Sequence, residues 1–405
     1  MKSNTITYLL STFFGYLAII MYNYFVIIYA YKLTSNEFFG ATLFLLMNVP
    51  YILFGFISSK YTEFTSKKKI ILYAQFCYLI LISALGGMIY YEIFFSKLIT
   101  ILLLISLLLG FAFAFLPASR LAIIKDLNDS NTIGRISLYI NLLYITAFGI
   151  GPLLVGILKY YLWDFQILFS ISLFFLISNL FLLKVSSISK FEVLKEEYSI
   201  GYYWKELSLY LNSNKRILFL LLLVPYTTLL LGPFQVLIPA YAEAVFHLSE
   251  IYKPIYFIIM SIGLAFGGFL AILLRYMNFK VVVFGSSIVA GLSLSILMQF
   301  ENLIISIISV LIASTCSSYA TNLIVLLIQN SLNDKYRLRI LNIYSILQLG
   351  SAAFIGFLTS KISTNFNPKT TFQSLGIMLI IFSILILFSL SYRKINLNTK
   401  YTISG

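Results

Sequence analysis

Charge is scarce in this chain. Asp, Glu, Lys and Arg together make up 10% of its 405 residues, against 60% hydrophobic and 17% aromatic residues, and mean hydropathy is +0.96. So few charges exclude a water-soluble protein, because no polar shell could cover the apolar segments and their solvent must be lipid. Histidine is almost missing: His247 stands alone, so a histidine-based metal site or proton relay has no partners and His247 reads as a structural residue. The two cysteines, Cys77 and Cys316, fall inside apolar runs and read as small apolar fillers, not as a disulfide. No G-x-x-x-x-G-K-[ST] loop occurs and no soluble segment is large enough for a nucleotide-binding domain, which excludes ATP hydrolysis by this chain. The net charge of +14 does not make a nucleic-acid binder, since the 28 Lys and Arg are scattered between long apolar runs.

What is present is a series of apolar stretches long enough to span a bilayer. There are twelve: Ile6–Tyr31, Glu37–Ser58, Lys69–Tyr91, Leu98–Ser119, Thr132–Leu158, Trp163–Leu183, Ile217–Ala244, Pro254–Arg275, Phe279–Phe300, Leu303–Asn330, Ile340–Ser360 and Thr371–Tyr392. The first carries Tyr22 and Asn23 and no small-residue cleavage site, so it is expected to be a retained helix and not a signal peptide. An even count puts both termini on one side. That side holds 22 of the Lys and Arg and the other holds 6, so the positive-inside rule makes the termini cytoplasmic. The external acids are then Glu37, Glu92, Asp164, Glu243, Glu250 and Glu301, spread over five loops. A membrane-embedded enzyme gathers such groups at one face, so no enzyme, cofactor or metal is expected.

One connection is long. Residues 184–215 separate six spans from six, giving an N-terminal bundle over 1–183, a cytoplasmic linker over 184–215, a C-terminal bundle over 216–392 and a tail over 393–405. Within the linker, Tyr202, Tyr203, Trp204, Leu207 and Leu211 are interleaved with Lys205 and Glu206, as in a helix lying in the membrane interface. The halves echo one another. Leu127-Asn128-Asp129 recurs as Leu332-Asn333-Asp334, with Tyr139 and Tyr344 at equal distances beyond and basic residues between, Arg135 in one copy and Arg337 and Arg339 in the other. Both copies fall between the fourth and fifth spans of a half, as parallel six-helix repeats require.

Several segments resemble the major facilitator superfamily, in particular its bacterial macrolide-efflux and enterobactin-exporter-like branch. Leu33-Thr34-Ser35 and Pro50 resemble that branch's first turn and second helix, and Glu63, Lys67 and Lys68 fall on the superfamily's G-x-x-x-D-R-x-x-R-[KR] loop, with Ser59 for the glycine and Phe64 for the first arginine. Pro117-Ala118-Ser119-Arg120-Leu121-Ala122 followed by Asp126-Leu127 is similar to P-A-x-R-x-A-x-x-x-D-L. Gly149, Gly151, Pro152 and Gly156 resemble the fifth-helix G-P-x-x-G element, and Pro239-Ala240-Tyr241-Ala242 resembles the seventh-helix P-x-Y-A. Gly263 and Gly267-Gly268 match a small-residue eighth helix, and Gln329, Asp334, Arg337 and Arg339 resemble Q-x-x-x-x-D-x-x-R-G-R with Leu338 for the glycine.

The resemblance implies an all-α membrane protein of twelve helices in two pseudo-symmetric six-helix bundles, with a cavity lined by the first, fourth, seventh and tenth helices. Candidate lining residues are Tyr22 and Asn23, Phe111, Phe113 and Phe115, Tyr226 and Gln235, and the tenth-span stripe Ser314, Ser317, Ser318, Thr321 and Asn322. Such a stripe on an apolar helix lines a cavity or glues helices together. An aromatic, weakly charged set favours a bulky amphipathic cargo over a sugar phosphate, which would call for buried Arg. Glu63 with Lys67, Lys68 and Arg337 or Arg339 is the candidate latch of a cytoplasmic gate, alongside Arg120, Asp126, Arg135 and Asp334; solvated positive-inside anchors are the other reading. The glycines of the fifth span are read as helix-packing positions. Proton antiporters of the superfamily often carry an acid within a core helix or an arginine in the fourth. Neither is evident here, leaving Glu243 and Asp164 as proton-coupling candidates. The expectation is a proton-coupled secondary transporter of the cytoplasmic membrane, acting as a monomer and exporting an amphipathic small molecule such as a drug or siderophore by alternating access. Its expected partners are that cargo, protons and the bilayer. An importer of the same fold and a lipid-linked polysaccharide flippase are the alternatives.

Overall fold

A computed structural model describes residues 3–92, 97–127, 130–186, 200–274, 277–332 and 334–392. The chain divides into two compact units, one of 1–204 with 249–254 and one of 205–248 with 255–405. Everything regular among the described residues is helical. Lipid offers no partner to a backbone N–H or C=O, so a spanning segment must bond its own backbone.

The first unit holds α1 (Ser3–Thr34), α2 (Glu37–Phe64), α3 (Lys67–Tyr90), α4 (Leu98–Leu127), α5 (Ser130–Tyr161) and α6 (Asp164–Lys184). Turns between them are short and locally capped. After α1, Ser35 adopts a left-handed φ of 51° and the Asn36 side chain accepts from the Phe38 N–H at 2.9 Å, so the Leu33-Thr34-Ser35 turn closes one helix and starts the next. At the opposite end, Asn4 exchanges two hydrogen bonds with the Ser186 backbone, and Lys68 Nζ donates to the carbonyls of Leu183 and Val185. A cation there satisfies carbonyls that the end of α6 leaves open.

The second unit begins with α7 (Ile200–Ser213), whose residues from 205 on belong to it. It continues with α8 (Lys215–Leu222), α9 (Val224–Thr227), α10 (Leu231–Phe246), α11 (Ile255–Leu273), a π turn (Val281–Gly285) leading into α12 (Ser286–Ile296), α13 (Leu303–Ser331), α14 (Asp334–Phe366) and α15 (Pro368–Tyr392). Two spans of this unit differ in kind from expectation. The seventh is broken into α8, α9 and α10 around Pro225, which has no N–H to continue the ladder. In the ninth, the apolar helix is only Val281–Ile296, shorter than the eleven other candidate spans. His247 ends α10 in a left-handed conformation, its N–H on the Glu243 carbonyl at 3.0 Å, a structural cap.

The pairing of helices repeats. In the first unit α2 runs along α4, α3 along α6 and α1 along α5; in the second, α11 runs along α13, α12 along α15 and α10 along α14. Each half therefore pairs its second helix with its fourth, its third with its sixth and its first with its fifth, which is the pseudo-symmetry of two six-helix repeats. Missing side chains set these approaches. A Cβ on Gly110 of α4 would sit 2.8 Å from Pro50 and from the Leu46 and Met47 carbonyls of α2. Pro50 leaves the Leu46 carbonyl without its intrahelical donor, and the opposing helix closes over it. On α10, a Cβ at Gly232 would collide with the Ala352 carbonyl of α14. Gly151 of α5 meets Ile20 and Met21 of α1, and Gly156 meets Glu250 and Pro254 of the 249–254 segment.

Gly232→Leu is expected to remove most of the folded protein recovered in detergent, whereas Gly87→Leu, where nothing lies within 4 Å, is expected to keep the wild-type yield. Size-exclusion profiles of the two variants check this. Equal yields would mean that the α10–α14 contact is not set by the glycine.

Candidate functional site

The cationic end of the first unit is built on wrong-ended charges. Lys67 opens α3, where the helix N-terminus already carries partial positive charge, and Asp126 stands one residue from the end of α4, where the partial charge is negative. The two meet: Lys67 Nζ lies 3.0 Å from both Asp126 carboxylate oxygens, with both side chains largely buried. Each charge offsets what the other's helix end does to it, joining the α2–α3 turn to α4. Thr62 and Ser119 add a hydroxyl pair at 3.2 Å on the same seam.

In the second unit Arg339 holds Glu206 of α7 at 3.0 Å, Tyr336 donates to the other Glu206 oxygen at 3.0 Å, and Tyr210 stacks on Tyr336 with ring centroids 4.1 Å apart. The amphipathic stretch expected in the linker is thus fastened to the start of α14. Arg337 is exposed. Of the expected gate residues, Lys67 and Asp126 come together and Arg339 is engaged by Glu206. The side chains of Glu63, Arg135 and Asp334 lie outside the described residues.

The tenth-span stripe faces its neighbours. Ser317 donates to the Thr227 carbonyl at 2.7 Å and Thr321 reaches the same oxygen at 3.5 Å. That carbonyl stands where the seventh span breaks, so α13 supplies hydroxyls to backbone that the break has opened. Ser318 donates to the Leu264 carbonyl of α11 at 2.6 Å, Asn322 donates to Ser318, and Ser314 donates along its own helix to Val310 while pressing on Gly263. This is the arrangement of a packing seam, one of the two roles such a stripe can have. Tyr226 is buried with its hydroxyl 2.5 Å from Ser383, Gln235 and Phe115 are half-buried, and Phe111 is exposed beside Phe54. Tyr22 is fully buried near Ser106, and the buried Asn23 Oδ1 has no hydrogen-bond partner. Gly149, Gly151 and Pro152 are buried within α5. Asp164 sits in an ion pair with the exposed Lys32 at 2.8 Å, and Glu243 is half-buried near the end of α10.

Arg120 departs most from expectation. The fourth span does not stop at Ser119: α4 continues to Leu127 and carries Arg120 inside the helix bundle, fully buried. An arginine in the fourth helix, absent from the sequence reading, is therefore present. None of its three guanidinium nitrogens has a hydrogen-bond partner, and its ring contact is Tyr16, 4.9 Å from the guanidinium carbon to the centroid. Burying an unpaired charge costs several kcal/mol, and a cation–π contact returns roughly 2 kcal/mol. Gly15, Gln75 and Ser178 surround the guanidinium; Gln75 Nε2 donates to Ser178 Oγ at 2.8 Å, and Tyr8 donates to the Arg120 carbonyl at 2.6 Å. The available signal was Gln75 and Ser178, polar residues inside apolar spans with no assigned task.

Two repeated six-helix units of apolar spanning helices define a multi-pass membrane protein with a transporter fold. The sequence profile of the Major Facilitator Superfamily matches residues 8–355, and the chain belongs to that superfamily. Solved structures similar to it include a D-xylose-proton symporter (TM-score 0.72, 11% identity, 94% of this chain and 96% of that one) and the nucleoside transporter NupG (0.71, 13%, 96% and 98%). A bacterial homologue of the iron transporter ferroportin in an inward-facing state is similar too (0.70, 14%, 94% and 98%). At these identities the likeness is one of fold. No curated protein matches the sequence.

Two predictions follow from the seams. Lys67→Met and Asp126→Asn are each expected to lower thermal stability in detergent while the double variant loses no more than the worse single, a coupling of about 1 kcal/mol; additive losses would remove the pair from the fold. Ser318→Leu, placed against Gly267, is expected to lower folded yield, whereas a leucine accepted with unchanged stability would return the stripe to an open cavity wall.

Proposed function

We propose that this chain is a secondary active transporter that exports an amphipathic small molecule of the drug or siderophore class by alternating access, driven by protons. It works in the cytoplasmic membrane with both termini on the cytoplasmic side. The observation carrying this reading is the ordered set of segments resembling the macrolide-efflux and enterobactin-exporter-like branch, with Pro117–Asp126 and Gln329–Arg339 at matching places in the two halves. The orientation rests on the excess of Lys and Arg in the loops on the side of the termini. In this reading Tyr22, Asn23, Phe115, Tyr226 and Gln235 contribute polar and aromatic groups to cargo binding, and Glu243 and Asp164 are the carboxylates offered for proton coupling. Import is the second reading, favoured by similar folds that include a D-xylose-proton symporter.

Cells lacking the protein and cells over-producing it are to be compared by untargeted analysis of small molecules in cytosol and medium. The expected outcome is a compound retained inside the deletion strain and enriched outside the over-producer. Depletion of a compound from the medium by the over-producer would make the protein an importer, and identical profiles would remove transport. Glu243→Gln is expected to abolish the dependence of transport on a proton gradient at unchanged protein level, and retained dependence would exclude Glu243 as carrier.

A further inference from the structure

Arg120 is a full positive charge among helices α1, α3, α4 and α6 with no ion pair set against it among the described residues. It lies seven residues before the end of α4, about 10 Å along the helix, and its neighbours Gln75 and Ser178 lie comparably deep in α3 and α6. All three guanidinium nitrogens are buried without an acceptor. Asp126, six residues on in α4, is held by Lys67. Lys68 is committed to the carbonyls ending α6. Turning the Gln75 amide over would offer one neutral acceptor, since Oε1 is itself unpartnered, but it would leave the unit charge and two guanidinium nitrogens unanswered. Gly15 makes room for the guanidinium itself: a Cβ there would strike Arg120 Nη2 and lie 2.6 Å from Gln75 Nε2 and 3.1 Å from Ser178 Oγ. Guanidinium and Gln75 amide therefore meet over Gly15, while Ser178 gives its own proton to the Ser11 carbonyl at 2.6 Å; the rings of Tyr16 and, 5.3 Å beyond it, Tyr144 flank them.

We propose that Arg120 is the docking point for the carboxylate of an aromatic, monoanionic substrate, the guanidinium fork accepting the carboxylate with Gln75 and Ser178 beside it and Tyr16 against its apolar part. A planar fork matches a carboxylate bidentately. A single uncompensated cation fits a monoanion, whereas a phosphate dianion would call for a second cation, and among the described residues Lys67 and Lys68 are committed elsewhere. The proposal rests on the transporter reading, because the guanidinium is fully buried and a substrate reaches it only if α1 and α4 rearrange in a transport cycle.

The test is binding of benzoate, with neutral benzamide as its isostere, to the purified full-length protein in detergent, read as the shift in thermal unfolding midpoint. Benzoate is expected to raise the midpoint of the wild type saturably and benzamide is not. Arg120→Gln is expected to weaken the benzoate response by about tenfold or more, as loss of a charged hydrogen bond implies. If Arg120→Gln does not fold, Arg120→Lys keeps the charge without the fork, and its benzoate response is expected to be weaker than that of the wild type but present. Equal shifts with benzoate and benzamide, no shift in the wild type, or an undiminished response in either variant would overturn the anion site. A protein that ignores benzoate yet moves a compound between cytosol and medium loses this site and keeps its transport. One that binds benzoate through Arg120 while cell profiles are identical keeps the site and loses the transport reading.

Discussion

Inside hydrocarbon a peptide group has no solvent partner, and that constraint shapes the rest of this molecule. It makes every span helical, and it leaves the helices without a hydrophobic reason to associate, because lipid is as apolar as leucine. Association falls to close approach and to hydrogen bonds between helices. Gly110 over the Leu46 carbonyl, Gly232 over Ala352 and Gly267 over α13 are approaches that a side chain would forbid. Where the backbone does open, at the break after α9, Ser317 closes the account with a donor from the neighbouring helix. The repeated pairing of second with fourth, third with sixth and first with fifth helix is the same solution found twice.

Charges at the helix ends are placed by a second rule. Lys68 points at the carbonyls ending α6, where a cation is welcome, whereas Lys67 and Asp126 each occupy the unfavourable end of their own helix and are tolerable because they face one another. The loop motif that carries Lys67 and Lys68 is a poor match to the superfamily pattern, with Ser59 and Phe64 in place of its glycine and arginine. The surviving basic end nonetheless joins three helices. That join is internal to the first unit and describes how the bundle is fastened.

Much of the fold was legible because hydropathy and length are one-dimensional properties. Spans one to six and the helix carrying Glu206 stand near where composition puts them, and Gly151 and Gly156 sit at close approaches. Helix breaks and helix ends were not legible, since both depend on neighbours. Pro225 breaks its span whereas Pro50, Pro117, Pro152 and Pro239 remain inside helices. Ser317 serves the carbonyl of Thr227, at the second break of that span, before α10. The serine stripe of α13 likewise has one appearance in sequence and two meanings, and only its partners Thr227 and Leu264 separate them.

The misplacement of Arg120 has the widest consequence, and its cause is a matter of one turn of helix. An arginine directly after an apolar run reads as an anchor at the membrane face. If the helix continues past it to Leu127, the same residue lies inside the bundle, and its meaning reverses from a solvated charge to an unpaired one. The aromatic, weakly charged lining favours a bulky amphipathic cargo over a sugar phosphate, which would call for buried arginine. A buried arginine is there, packed on Gly15, its guanidinium nitrogens without a hydrogen-bond partner among the described residues. A protein keeps an unanswered buried charge only if something offsets its penalty; Tyr16 offsets part of it, and an anion arriving with the substrate is a compensation suited to a molecule that must bind in one state and release in another.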